Sequence, residues 1–197
     1  MRLKIVESTL MTAMITLVGM FDPYGIAHAK RVTDLTIRLA ERYGITDPIY
    51  LEILRKACML HDIGKMEVPE YVRRMTGTYL PSERTMMNEH SMNGSRYLGI
   101  LIDGIITEEA VQIVKHHHQD WGGKEGYPDP KLKGDDIPLG ARLIRPCDWF
   151  DAVTHERGYK RASTPQDALA EMIDLQITTQ PFDPDILRLF IEMMRLE

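Results

Sequence analysis

Histidine and aspartate are the residues of this sequence best placed to do chemistry, because they recur where predicted helices end. His61 and Asp62 offer an imidazole nitrogen and a carboxylate from adjacent positions, and His116, His117 and His118 end another helical segment. Neighbouring side chains on a helix point about 100° apart, so three consecutive histidines cannot all face one core. They can converge on a metal ion where the helix ends, and the pattern therefore predicts a metal centre.

The predicted ligands supply only nitrogen and oxygen atoms: His28, His61, Asp62, His90, His117, His118 and Asp148. A set without thiolates suits iron, manganese or zinc better than Cu(I) or an iron–sulfur cluster. It is too large for one octahedral ion, so we expect two divalent ions, which Asp62 could bridge. Each histidine alone has a simpler interpretation, as a partly buried polar residue or part of a solvated helix end. Those interpretations would all have to hold together, so the metal centre is the favoured hypothesis.

Helical periodicity dominates the rest of the sequence, and no segment sustains period-two alternation. Val32, Leu35 and Leu39, for example, recur at three- and four-residue steps. Helix starts are indicated at Asp47–Pro48, Thr107, Thr164–Pro165 and Asp183–Pro184. We predict an all-α fold, a bundle of about seven or eight helices. Residues 1–197 are expected to form a single domain, with residues 1–25 as an N-terminal helix packed on it.

Two stretches interrupt the helical pattern. Residues 69–84 are mixed in character, with turn signals at Gly77 and Pro81. Residues 119–138 are rich in glycine and proline and follow directly on the histidine run. Long irregular segments of this kind usually carry function, so we expect a functional loop here.

Charge, cysteine content and hydrophobicity limit the kinds of binding partner and environment that we expect. The net charge of -5 argues against binding a nucleic-acid polymer, although a small anionic ligand needs only local positive charge. Cys58 and Cys147 lie in apolar helical contexts without CxxC spacing, which favours buried thiols in a cytoplasmic protein. The apolar run from Leu10 to Phe21 is shorter than the roughly 20 residues that cross a bilayer, so we expect no membrane association.

The order of three motifs resembles one known family. Leu60–Lys65 reads Leu-His-Asp-Ile-Gly-Lys, the histidine pair His117–His118 follows, and Gly126-Tyr127-Pro128 comes next. Together with residues 132–142 and 148–152, this order is similar to the HD-GYP domain of the HD phosphohydrolase superfamily. The resemblance covers nearly the whole chain. It implies an HD-domain-like helical fold and hydrolysis of the bacterial signal cyclic di-GMP at a di-iron or related metal centre.

The resemblance also implies roles for the metal ligands. His28, His61, Asp62 and Asp148 correspond to the basic HD set, and His90, His117 and His118 to the additions that hold a second metal, with Asp62 as the bridge. Some members hold a third metal with a glutamate one turn before the first histidine, where this chain has Tyr24, so two metals are expected. Iron is the first choice, with manganese or zinc as alternatives. His116 is expected to lie behind the ligands or at the surface, and His155 at the surface.

Further residues are implied to act on the substrate. Asp62 and Lys65 are the expected catalytic residues, and Lys65 would pair with a phosphate. Arg157 and Lys160 resemble basic residues that would meet the second phosphate or a guanine. Tyr127 would either contact the nucleotide or only shape its loop. Asp151, three residues after Asp148, is expected to orient a ligand.

The chain departs from the family pattern beside the histidine pair. Gln119 stands where the family usually has glutamate, and Gly122-Gly123 with one extra residue replaces its usual Asp-Gly. Two functions therefore stay open: an active cyclic dinucleotide phosphodiesterase, and a catalytically weak metal-bound module that senses the nucleotide or docks on a signalling partner through the GYP loop. A third hypothesis is a phosphohydrolase that acts on another nucleotide.

Overall fold

The computed structural model describes residues 2–75, 77–101, 105–155 and 162–196, with side chains from residue 8 onward. Within those ranges the chain forms nine α-helices and two short 3-10 turns and no strand, which confirms the predicted all-α class. The helices are α1 (Arg2–Phe21), α2 (Gly25–Tyr43), α3 (Pro48–Leu60), α4 (Glu70–Arg73), α5 (Pro81–Gly99), α6 (Glu108–His116), α7 (Leu139–Thr154), α8 (Pro165–Thr178) and α9 (Pro184–Arg195). The 3-10 turns are Ile63–Glu67 and Gly134–Asp136.

The predicted helix starts are confirmed by their caps. Asp47 accepts a hydrogen bond from the amide of Ile49, and Thr107 accepts one from the amide of Ala110. Thr164 and Asp183 cap α8 and α9 in the same way. These side chains satisfy amide groups that have no partner inside the helix, so they fix where each helix begins. The one helix that the sequence did not predict is α4, a single turn that starts after Pro69 in the mixed segment.

The histidine run leaves its helix earlier than expected. We predicted that the helix would continue to His118, but α6 ends at His116, with His117 as its C-cap residue. Because the chain turns at that point, two consecutive imidazoles can enter the same interior space. The last turn of α6 therefore sets the direction of both ring systems.

Helix α2 lies at the centre and contacts α1, α3, α7 and α9, while α5 packs on α6 and on the 3-10 turn Ile63–Glu67. The buried core includes Val32 and Leu39 of α2, which are fully inaccessible. The contact between the 3-10 turn and α5 depends on Gly64, because a Cβ atom there would lie 1.9 Å from the carbonyl oxygen of His90. This close approach brings residues 61–62 against α5.

Helix α1 packs on α2, α3 and the 3-10 turn, and its end contributes exposed apolar residues such as Phe21. No helix in the described ranges has the length and apolar character needed to span a bilayer.

Candidate metal centre

Two groups of ligand-type side chains meet in the interior. The first, here called the aspartate group, consists of His28, His61 and Asp62. The second, the histidine group, consists of His90, His117 and His118. Within each group the ligand atoms lie within 4.8 Å of one another. Both groups are buried, apart from a partly exposed His118.

Asp62 links the aspartate group, of which it is a member, to the histidine group. Its Oδ2 atom is 3.4 Å from Nε2 of His61 and 3.8 Å from Nε2 of His28. Its other oxygen, Oδ1, is 3.4 Å from Nε2 of His90 in the histidine group. One carboxylate therefore faces both groups, one oxygen to each.

Asp148 of α7 joins the same cluster. Its Oδ1 atom is 3.0 Å from Nε2 of His28 and 3.7 Å from Nε2 of His61. Its Oδ2 atom is 3.9 Å from Nε2 of His118. All seven residues predicted as ligands are thus brought together, from five segments that are distant in sequence.

Three of the imidazoles are oriented by backbone carbonyl groups. Nδ1 of His61 is 2.7 Å from the carbonyl oxygen of Cys58, and His90 and His117 make the equivalent 2.6 Å contacts three residues back along the chain. A carbonyl only accepts, so each Nδ1 carries a proton and donates it. In the neutral ring the Nε2 lone pair then points into the cluster, which is the orientation of a metal ligand.

Two of these nitrogens face each other directly. Nε2 of His90 and Nε2 of His117 are 3.2 Å apart. Because both rings donate through Nδ1, two lone pairs meet at this point when the rings are neutral. A cation between or beside them would turn that repulsion into coordination.

His28 is oriented by a carboxylate instead. Its Nδ1 lies 2.6 Å from Oδ2 of Asp151, and Arg31 binds the same carboxylate through Nε at 2.6 Å and Nη2 at 2.9 Å. His155, which is exposed, also contacts Asp151, at 3.1 Å. A carboxylate behind an imidazole fixes the ring and raises its basicity as a ligand.

His118 has a different environment. Its Nδ1 lies 3.5 Å from Nη1 of Arg145, whose Nη2 atom donates to Oδ1 of the buried Asp120 at 2.8 Å. The ring of Tyr127 packs against His118, with centroids 4.8 Å apart. The ring is therefore held between the α7 arginine and the tyrosine of the GYP triplet.

Opposite charges balance in the aspartate group. Burial alone would lower the pKa of His61, but the carboxylates of Asp62 and Asp148 raise it to about 10. Burial would raise the pKa of Asp62, but Lys65 and His61 hold it well below its usual range. Nζ of Lys65 is 2.6 Å from Oδ2 of Asp62. Two cations and two carboxylates thus stabilise one another.

The histidine group is held neutral. Burial lowers the pKa of His90 to about 4, although Asp62 acts in the opposite direction. Burial and the neighbouring imidazoles of His61 and His90 also hold the pKa of His117 well below its usual range. Burial and His117 do the same for His118. Neutral imidazoles are the form that binds metals.

The cluster fits divalent cations. Nε2 of His61 is buried and makes no hydrogen bond to any part of the chain that the structure describes. Buried polar atoms are normally satisfied, so a ring nitrogen without a hydrogen bond beside two carboxylates suits a cation, which is a proton in the metal-free ring or a metal ion that replaces it. The donor set of imidazole nitrogens and carboxylate oxygens suits iron, manganese or zinc.

A cavity of about 440 Å³ opens above the cluster. Its floor includes His90, His118, Lys65 and Tyr127. Its walls are formed by the end of α1 and the turn that follows it, by the two arginines at the end of α4, and by residues that precede or belong to α5. The volume lies within the range of pockets that bind small molecules.

A model of the HD domain family matches residues 12–186. The chain belongs to the HD domain family. A probable cyclic di-GMP phosphodiesterase of Vibrio cholerae is 34% identical over 197 residues, which covers 94% of this chain and 44% of the relative. A 3'3'-cGAMP-specific phosphodiesterase of the same organism, number 2, is 31% identical over 166 residues, covering 84% of this chain and 31% of the relative. The chain thus spans less than half of the length of these curated relatives.

A solved structure supports the fold. The HDGYP protein Bd1817 from Bdellovibrio bacteriovorus matches with a TM-score of 0.70 at 20% identity, covering 87% of this chain and 52% of that chain. The family predicted from the motifs is confirmed. This HD domain places its predicted ligands at one site, while Arg157 and Lys160 lie outside the described residues.

Several contact residues of this HD domain had no signal in the sequence. Arg31, Asp120 and Arg145 touch or support ligands, but their partners lie 25 to 120 residues away. The one local hint is Arg145, which stands among apolar side chains in residues 143–147 of α7. His116 is buried rather than exposed, and lies outside both ligand groups.

Proposed function

We propose that this chain is a metal-dependent phosphodiesterase that hydrolyses cyclic di-GMP to linear pGpG, GMP or both. One observation carries the proposal: one oxygen of Asp62 faces His61 and the other faces His90 of the histidine group. His90 and His118 in turn line a cavity of about 440 Å³. Relatives named as cyclic di-GMP phosphodiesterases, 31–34% identical, support the substrate class.

The centre would hold two divalent ions. His28, His61 and Asp148 would bind one, the histidine group would bind the other, and Asp62 would bridge them. Iron is the expected metal, with manganese or zinc as alternatives. Two such ions supply a water of lowered pKa and positive charge for the phosphate oxygens.

The side chains of the protein would position the substrate. Lys65 neutralises Asp62 at 2.6 Å and lines the cavity, so its ammonium group is placed to meet a phosphate that enters. Tyr127 lines the cavity beside His118, where its ring would support the ligand and contact the nucleotide. Arg157 and Lys160 remain predicted contacts of the second phosphate. Asp151 and Arg31 would keep the imidazole of His28 in its binding orientation.

The contacts of Gln119 favour the enzyme over the catalytically weak module. Its amide nitrogen donates to the carbonyl oxygens of Asp129 at 2.6 Å and Leu132 at 3.0 Å, and its oxygen accepts from the amide of Asp129 at 3.3 Å. The side chain is therefore used to close the loop after the histidine pair. The change from glutamate removes none of the seven ligands.

A second substrate has support of its own. The relatives include 3'3'-cGAMP-specific phosphodiesterases about as similar as some of the cyclic di-GMP enzymes. Both ligands contain two phosphodiester bonds in one ring, so the metal centre alone would not distinguish them. The cytoplasmic location, the single domain and a signalling partner at the GYP loop remain predictions.

The proposal is tested with purified protein loaded anaerobically with Fe(II) or Mn(II). Chromatography follows cyclic di-GMP and 3'3'-cGAMP separately. We expect metal-dependent release of linear product, and a loss on the order of 10³-fold in Asp62→Asn because the shared ligand is weakened. Asp174→Asn, which changes an exposed aspartate of α8, is the control and should keep full activity. Full metal occupancy with nucleotide binding but no product would refute the enzyme and favour the sensor.

A further inference from the structure

The cavity walls carry aromatic and cationic side chains that the metal centre does not use. Tyr24, Tyr79, Arg73 and Arg74 all line the cavity whose floor includes Lys65. They come from three separate places: the residue before α2, the end of α4, and the segment before α5. None of them is among the predicted ligands or substrate contacts.

The two tyrosines offer ring surface to the cavity. Tyr24 is 52% exposed although it stands one turn before the buried His28. Tyr79 is half-buried, and the guanidinium group of Arg84 lies over its ring, 6.0 Å from the centroid. Exposed aromatic rings beside a phosphate site are the usual platforms on which nucleobases stack.

The two arginines have different tasks. Arg73 donates from Nε to the carbonyl oxygen of Val68 at 2.9 Å and from Nη1 to the carbonyl oxygen of Phe21, while its guanidinium group lies over the ring of Phe21 at 5.6 Å. It therefore ties the end of α1 to α4 and fixes that end as a cavity wall.

Arg74 is placed differently, because its ion pair with Glu70 at 3.0 Å is at the surface and its side chain is 75% exposed. Exposed pairs of this kind contribute little and are easily exchanged. The guanidinium group of Arg74 can therefore leave Glu70 and pair with an anion in the cavity.

A cyclic dinucleotide needs such a wall. Its two phosphates belong to one ring, so a molecule with one phosphate on the metal floor must place its second phosphate and its bases higher in the cavity. The bases can stack on aromatic side chains, and the second phosphate can pair with a cationic side chain. The wall presents both.

We propose that Tyr24 and Tyr79 bind the nucleobases of the cyclic dinucleotide and that Arg74 binds its distal phosphate. Arg73 positions this wall by holding the end of α1. The proposal rests on the proposed function, because it assumes that a cyclic dinucleotide is the ligand. It adds that specificity for the nucleotide resides in this wall, separate from the metal floor.

The test compares two diesters on the metal-loaded protein. Bis(p-nitrophenyl) phosphate presents one diester group without nucleobases or a second phosphate, whereas cyclic di-GMP has both. Tyr24→Ala, Tyr79→Ala and Arg74→Gln should each lower kcat/KM for cyclic di-GMP about tenfold or more, mainly through KM. The loss on bis(p-nitrophenyl) phosphate should be at least about fivefold smaller in each case. Tyr24→Phe and Tyr79→Phe keep the ring and should restore most of the affinity.

Matched controls come from outside the cavity. Tyr43→Ala removes an exposed tyrosine at the end of α2, and Arg188→Gln removes an exposed arginine with a similar ion pair to Glu192. Both should behave like the unchanged protein. Equal losses on the two diesters, or an unchanged KM for cyclic di-GMP in all three wall variants, would overturn the proposal.

Calorimetric titration with cyclic di-GMP separates the two proposals. If the unchanged protein binds cyclic di-GMP without turnover and the wall variants bind it more weakly, the phosphodiesterase activity is refuted. The proposed contacts of Tyr24, Tyr79 and Arg74 with the nucleotide are then supported. If cyclic di-GMP is hydrolysed and the wall variants bind it with unchanged affinity, the phosphodiesterase activity is supported and the proposed contacts of the wall residues with the nucleotide are refuted.

Discussion

The aspartate group and the histidine group lie side by side, yet opposite physical effects govern them. In the aspartate group, carboxylates raise the pKa of His61 to about 10, so the group can hold itself together by ion pairs. In the histidine group, burial lowers the pKa of His90 to about 4, and neutral rings face each other with Nε2 atoms 3.2 Å apart. The first group balances its own charge, and the second needs a cation to become favourable.

This difference indicates how one site could acquire two ions. The aspartate group must release the proton of His61 before it binds metal, so its affinity should rise with pH. The histidine group is already deprotonated, so its affinity for a metal ion should depend less on pH. Asp62 couples the two because each of its oxygens faces one group.

The largest expected effect that tests this comparison is on metal content. His90→Gln removes a ligand from the histidine group alone, so the protein should fall from about two ions per chain to about one, with activity lost on the order of 10²-fold or more. Elemental analysis of anaerobically loaded protein measures it. The control is His116→Gln, which changes a buried histidine that is next to His117 in sequence but outside both groups. This variant should keep both ions. Loss of both ions in His90→Gln would show that the groups do not bind separately.

Separating the two groups physically should come next in size. Gly64→Ala would place a Cβ atom 1.9 Å from the carbonyl oxygen of His90 and 2.4 Å from the amide nitrogen of Gly94. The 3-10 turn must then move from α5, at a cost of about 1–3 kcal/mol in the free energy of unfolding. Denaturant unfolding measures this loss. Gly99→Ala is the control, since nothing lies within 4 Å of its Cβ position. Equal stability of both variants would contradict the close packing.

The pH dependence of stability should reflect both groups in the metal-free protein. Between pH 4 and 6.5 the unfolded chain binds a proton at His90 that the folded chain refuses, so stability falls as pH decreases. Between pH 6.5 and 10 the folded chain keeps a proton on His61 that the unfolded chain has lost, so stability falls as pH rises. Thermal unfolding should show a maximum near pH 6.5, with a decrease on the order of 1–2 kcal/mol two pH units away.

A His61→Gln variant supplies the control for the pH profile. It should lose the alkaline part of the decrease and keep the acidic part. A profile that stays flat from pH 5 to 9 in the unchanged protein would mean that the two groups do not differ in protonation.

The smallest expected effect concerns the loop behind the histidine group. Gln119→Glu restores the residue that the HD-GYP pattern usually has, but it removes amide hydrogens that two carbonyl groups accept. We expect a loss of about 1 kcal/mol in stability and no gain in kcat. Gln166→Glu, at an exposed position in the first turn of α8, should lose no stability, because a negative charge is favourable there. A clear rise in kcat for Gln119→Glu would show that the missing carboxylate limits activity.

The sequence was sufficient for eight of the nine described α-helices and for the convergence of the predicted ligands. Caps such as Asp47 and Thr107 are local, so they mark helix starts without knowledge of the fold. The order of the motifs predicted that His61 and His117 share one site, because the HD-GYP family that it resembles has both residues as ligands of one metal centre. Their rings are in fact in contact, with centroids 5.1 Å apart.

The remaining features depend on tertiary structure. Arg145 of α7 binds Asp120 in the loop after the histidine pair, and Arg31 of α2 binds Asp151 of the neighbouring α7. Neither position belongs to a periodic pattern. The orientation of Gln119 toward its own loop could not be read from its identity. The cavity wall likewise joins residues from three segments, which no local motif relates.

Titration of the metal-free protein with Mn(II), while hydrolysis of cyclic di-GMP is followed, tests the two-ion centre most directly. If the aspartate group and the histidine group each hold one ion and act together, turnover should stay near zero through the first equivalent and rise as the second binds. Full activity at one equivalent, or none after two have bound, would contradict the account.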